Sequence, residues 1–304
     1  MPKIVSLIPS ATEIVCVLGF ESDLVGRSHE CDYPPTVRDL PALTAPKFDP
    51  EGSSRAVDAR VQDLLQAALS VYRVDEALLT ELQPDVIVTQ AQCEICAVSL
   101  ADVEQAVAAC LTTPAQIVSL EPMTFADVLA DVQRVATALG VPERGEAEAL
   151  RLQKRVDDIA TRADHVPAYP TVATIEWIDP LMAAGNWVPE LIGKAGGINL
   201  FGAAGQHSPW MTWDDVWAAD PDRIIVMPCG YDIETARANM AALTVLPGWE
   251  SLRAVREGHV YLTDGNAYFN RPGPRLSESL EILAEILHPE AFHFEHEGSG
   301  WVRF

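Results

Sequence analysis

Three stretches of this chain place thiols where an apolar run gives way to a loop: "SHECD" (28–32), "QCEIC" (92–96) and "MPCGYD" (227–232). They supply Cys31, Cys93, Cys96 and Cys229, with His29, Glu30, Asp32, Glu94 and Asp232 beside them. Thiols in these settings serve as metal ligands, as a redox dithiol, as contacts to another ligand, or as inert core residues. Cys93 and Cys96 have the C-x-x-C spacing, but a local zinc finger would need two such pairs. Cys96 falls near the start of the helix expected next, where the helix dipole favours thiolate. Cys16 and Cys110 sit within apolar helical patterns and read as small core residues.

The elements that carry these loops alternate between strand and helix. β-branched runs predict strands at 3–7, 24–26, 86–89, 116–120, 171–175, 223–227 and 260–262. Apolar periodicity predicts helices at 64–82, 102–111, 189–195, 214–219, 233–243 and 277–287. "SATE" at 10–13 has a hydroxyl followed three residues later by a carboxylate, the pattern of a capped helix start, and Gly19 would end that helix. From 125 to about 163 the pattern is helical, broken only by "GVPERG". Such alternation argues for mostly parallel sheets covered by helices. The expected division is an N-terminal α/β half over 1–121, a helical connector over 122–166 and a C-terminal α/β half over 167–304.

Composition narrows the partners. The 304 residues exceed one ordinary core, and 48% are apolar, which excludes a disordered chain. With 21 Lys and Arg against 44 Asp and Glu, the formal net charge is −23. That argues against nucleic acid and against an anionic membrane surface. No apolar stretch is long enough to insert into a membrane, and "MPKIVSLIPSATEIV" lacks the pattern of a signal peptide, so the expected location is the cytoplasm. There is no Walker loop, G-x-S-x-G or H-E-x-x-H motif. His293 and His296 read as part of a solvated tail.

The segments "KIVSLIPSATEIVCVLG" (3–19), "LVGRSHECDYP" (24–34), "LQPDVIV" (82–88), "GGINLFG" (196–202) and "NRPGPRL" (270–276) carry a family resemblance over nearly the whole chain. The chain resembles the class III substrate-binding proteins, the helical-backbone receptors of vitamin B12, iron-siderophore, haem and metal importers, and within them the cobalamin-binding branch. The resemblance implies two Rossmann-like lobes with mostly parallel sheets, joined by a long helical connector, with a ligand cleft between the lobes. It also implies a relation to ABC transporters. The absence of an export signal puts an importer partner in doubt and leaves catalysis open, with a binding protein favoured.

In open α/β sheets ligands sit beyond the carboxyl ends of the strands, so the post-strand loops hold the candidate residues. These are Ser10, Thr12, His29, Gln90, Glu176, Trp177, Trp187, Asp232, Tyr268, Phe269 and Arg271. Ser10 and Thr12 lie at a helix N-terminus, either capping it or meeting an anion. Trp177 and Trp187 offer flat rings to a planar ligand such as a corrin or haem, or pack in the core. Trp213 and Trp217, spaced i,i+4, read as core. Arg271 suits a bidentate clamp on carboxylate or phosphate, or an internal ion pair. The expected function is binding of a corrinoid (cobalamin-like) or related metal-chelate ligand. If the thiol loops open onto one cleft, Cys31, Cys93, Cys96 and Cys229 can converge on zinc or an iron–sulfur cluster, making the chain a metalloprotein or enzyme instead.

Overall fold

The computed structural model describes residues 1–67, 71–91 and 99–304. The chain folds into two compact units: one holds 1–52, 59–122 and 126–152, the other 53–58, 123–125 and 153–304.

The first unit is built on the strands β1 (Ile4–Ser6), β2 (Leu24–Arg27), β5 (Val86–Gln90) and β6 (Gln116–Leu120), all parallel, in the order β2-β1-β5-β6. A separate antiparallel ribbon pairs β3 (Thr44–Pro46) with β4 (Tyr72–Val74). Helices α1 (Pro9–Val17), α2 (Ser54–Gln66), α3 (Glu76–Leu82) and α4 (Leu100–Cys110) follow their strands. Val5, Leu7, Leu43, Val61, Val71, Leu79, Ile87 and Val103 make a core between sheet, ribbon and helices. Gly26 allows that closeness: a Cβ there would lie 2.2 Å from Leu43 Cδ1.

Two expectations for this unit need correction. The helical period read over 64–82 is interrupted by β4, because "VYRV" at 71–74 is rich in strand-forming side chains. Asp75 then starts α3 afresh, accepting from Leu78 N at 3.0 Å. At α1 the boundary residue is Ile8 with no side-chain cap, since Pro9 opens the helix and has no N–H to satisfy. Ser10 is therefore already inside the helix.

The region expected as a connector is a helix pair, α5 (Phe125–Ala138) and α6 (Pro142–Ala163), separated at "LGV". The division between units falls within α6: residues to Leu152 belong to the first and residues from Gln153 to the second.

In the second unit, β7 (Thr171–Ile175), β8 (Ile198–Asn199), β9 (Arg223–Val226), β10 (Val260–Thr263) and β11 (Trp301–Arg303) form one sheet, ordered β11-β10-β9-β7-β8. Only the β10–β11 pairing is antiparallel. The helices are α7 (Val188–Lys194), α8 (Trp213–Ala219), α9 (Ile233–Asn239), α10 (Ala241–Thr244), α11 (Arg253–Arg256) and α12 (Leu276–Leu287). Ala173, Ile175, Ile224, Val226, Leu243, Trp249, Val260 and Leu262 form the core on one face of the sheet.

The stretch read as a solvated tail is docked rather than loose. Glu285 of α12 accepts from Trp301 Nε1 at 3.0 Å and from His296 N at 3.2 Å. Glu281 binds Arg155 of α6 bidentately, both contacts 2.7 Å, and meets His296 Nε2 at 2.9 Å. The bonds from Arg155 and the proton shared with His296 hold the Glu281 carboxyl below its usual range despite its burial. Trp217, expected in the core, is 54% exposed, whereas Trp213 stacks on Trp249 with ring centres 6.0 Å apart.

Candidate functional site

Each sheet has one place where its connections turn in opposite directions. In the first unit this lies between β1 and β5; in the second it lies between β7 and β9. The carboxyl ends of such strand pairs are where α/β sheets bind ligands, because the diverging connections leave a crevice there.

At the first switch point, loop hydroxyls bond to one another. Thr12 Oγ1 lies 2.8 Å from Ser6 Oγ and 3.0 Å from Cys31 Sγ, and all three residues are buried. Ser28 Oγ, Thr44 Oγ1 and His29 Nδ1 make a second chain, with contacts of 3.0 and 2.7 Å. The His29 ring also lies 5.2 Å from Tyr72. Burial, helped by the charge of Arg27, lowers the His29 pKa to about 4, so the imidazole is neutral near pH 7. In the tautomer that directs Nδ1–H to Thr44, the lone pair sits on Nε2, the form that coordinates a metal. Ser10 Oγ is buried without a partner among the described residues, and Gln90 is buried at the end of β5.

The thiols divide. Cys93 and Cys96 lie outside the described residues. Cys31 is 1% exposed and bonded to Thr12, which makes it part of the interior of its unit. Cys229 is half-buried in the loop after β9. Among the described residues no group of three or more His, Cys, Asp or Glu could hold a metal ion, so the zinc and iron–sulfur readings gain no support. The Cys16 thiol is pushed up to about 12, first by burial and then by Glu21 and Glu13, which makes it inert.

At the second switch point the loop after β7 carries Glu176 and Trp177, and the loop after β9 carries Cys229, Tyr231 and Asp232. The rings of Trp177 and Tyr231 meet with centres 5.3 Å apart at 52°. Trp177 Nε1 and Tyr231 Oη are both buried and have no hydrogen-bond partner among the described residues. Glu176 Oε1 accepts from Ser208 Oγ at 2.8 Å. Asp232 caps α9 by accepting from Thr235 N at 2.8 Å, which holds its carboxyl below the usual range. Tyr231 was missed in the sequence although it lies between two singled-out residues; a phenol one residue past a post-strand Gly was the available signal.

The loop after β10 is a rigid support. Trp187 Nε1 donates to Phe269 O at 2.6 Å, and Phe269 N donates to Ser279 Oγ at 3.0 Å. Asn270 Nδ2 donates to Met227 O and Gly265 O, at 3.0 and 2.9 Å. Gly265 packs so tightly on the loop after β9 that a Cβ would lie 2.2 Å from Pro228 O. Phe269, at φ +61°, is fully buried and Trp187 is 4% exposed. Both rings pack in the interior of the unit, and the indole N–H of Trp187 is bound by the Phe269 carbonyl. Arg271, also buried, donates to Asn266 Oδ1 at 2.9 Å, while Arg275 lies over the Tyr268 ring at 4.4 Å.

Two parallel-stranded α/β units, each with functional groups gathered at a switch point, define a solute-binding protein of the two-unit class. The periplasmic binding protein family (Peripla_BP_2) matches residues 4–267, and the chain belongs to it. The uncharacterized ABC transporter substrate-binding lipoprotein YvrC of Bacillus subtilis is 22% identical over 298 residues, 95% of this chain and 81% of that protein. A vitamin B12-binding protein of Vibrio cholerae is 23% identical over 287 residues, 94% of this chain and 88% of that one. Among solved structures, a periplasmic heme binding protein from Pseudomonas aeruginosa matches with a TM-score of 0.71 at 22% identity, covering 96% of this chain and 94% of the other. With a lipoprotein and periplasmic proteins among these relatives, the cytoplasmic location and the doubt about an importer find no support. No helix among the described residues is long and apolar enough to cross a membrane.

Proposed function

We propose that this chain binds a corrinoid or a closely related tetrapyrrole metal chelate through its post-strand loops. The observation that carries the reading is the Trp177–Tyr231 pair at the switch point of the second sheet. Two adjoining aromatic rings suit a broad, flat, largely apolar ligand, since such rings bury much area at low conformational cost. Their polar tips, without partners among the described residues, suit a ligand whose rim carries hydrogen-bonding groups. The relatives named for vitamin B12 and heme support a tetrapyrrole over a smaller solute.

Calorimetric titration with cyanocobalamin, hemin and a ferric hydroxamate, read alongside visible absorbance, tests this. The expected result is a Kd of about 1 μM or tighter, near −8 kcal/mol, for at least one tetrapyrrole. Binding of the hydroxamate alone, or of none of the three, overturns it.

A further inference from the structure

Resting on the tetrapyrrole reading, the structure also bears on the chemistry of the ligand's rim. Trp177 and Tyr231 each hold a hydrogen-bond donor that meets no acceptor among the described residues. Their polar neighbours are engaged elsewhere: Glu176 with Ser208, Asn270 with two carbonyls, and the indole of Trp187 with Phe269 O. A buried donor without a partner is costly, and a ligand acceptor repays that cost. Burial raises the Tyr231 pKa, so its hydroxyl keeps its proton as a donor at neutral pH.

The charge around the pair decides which acceptor fits. Asp232 adjoins Tyr231 and is held ionised by the amide and hydroxyl of Thr235. Glu176 adjoins Trp177. Arg271 donates to Asn266, and its charge is drawn toward Asp264 of the same loop. A ligand carboxylate placed here would add an anion beside an anion, which is unfavourable at separations shorter than the screening length of about 8 Å. A neutral carboxamide oxygen accepts from both donors without that cost. We infer that Trp177 Nε1 and Tyr231 Oη form a rim-reading pair that takes carboxamide oxygens of the ligand and selects against carboxylate-edged tetrapyrroles.

The test compares two ligands with the same corrin ring. Dicyanocobinamide carries carboxamides on its rim, and dicyanocobyrinic acid carries carboxylates. Wild-type protein is expected to bind the first at least about 10-fold more tightly. Trp177→Phe and Tyr231→Phe are each expected to weaken cobinamide about 5- to 10-fold, the size of one neutral hydrogen bond, while cobyrinic acid changes less than about twofold. Because its hydroxyl bonds to no described residue, Y231F is expected to melt no lower than wild type, a result that a structural tyrosine would not give. Equal affinity for the two corrinoids, or an unchanged cobinamide affinity in both variants, overturns the inference. Hemin binding more tightly than cobinamide overturns it too, but leaves the tetrapyrrole reading standing. If none of the three binds, that underlying reading falls with it.

Discussion

The switch points of the two units differ in which polar groups they engage. In the first, the hydroxyls of Ser6, Thr12, Ser28 and Thr44 bond to one another, to Cys31 and to His29. In the second, Trp177 and Tyr231 keep their donors unspent while Trp187, a few residues on, spends its indole N–H on Phe269 O. The contrast separates polar groups that hold the fold from polar groups left unpaired among the described residues, and residue type does not reveal it. Two tryptophans ten residues apart fall on opposite sides of that line.

The comparison can be broken by substitution. The largest effect is expected at Trp187. Trp187→Phe leaves the buried Phe269 carbonyl without its donor and opens space in the core, costing about 2 kcal/mol or more, seen as a lower urea midpoint. A smaller loss, about 1–2 kcal/mol by the same measurement, is expected for Thr12→Val, which preserves volume but removes the hydroxyl that joins β1, α1 and Cys31. If either substitution proves neutral, the division between spent and unspent groups fails on that side.

A further effect concerns pH. The folded pKa of His29 lies near 4, below its ordinary value of 6.5, so between those values the unfolded chain binds the additional proton. The stabilising contribution of neutral His29 is therefore complete above pH 6.5 and is lost as pH falls toward 4. His29→Gln is expected to show a shallower loss of melting temperature over that window than wild type, and the same slope above it. Parallel curves throughout would show that His29 titrates normally.

Much of this architecture is legible in the residue order because the inner strands are β-branched runs buried on both faces, such as "VIVT" in β5 and "TVATI" in β7. The strands β3, β4, β8 and β11 are two or three residues long, and their pairing is chosen by contacts distant in sequence. The site was legible to the level of which loops matter, since loop position follows from the alternation of elements. Which side of a loop residue faces inward was not. Trp177 and Trp187 read alike, and the difference lies in Phe269, whose carbonyl comes from 82 residues further along. Tyr231 is the converse case, a ligand candidate that residue type alone does not distinguish from a core tyrosine.

The ends of the second sheet bear on how the protein behaves in a crowded solution. An open parallel sheet exposes a row of unpaired N–H and C=O groups along each outer strand, which invites pairing with another molecule. Here the strong central strands β7, β9 and β10 are all interior to the sheet, and its margins are left to β11, three residues ending in Arg303, and β8, only Ile198 and Asn199. Margins so short and so differently oriented give a foreign strand almost no register to extend. Keeping molecules apart is thus a property of where this sheet stops, as much as of the acidic surface that surrounds it.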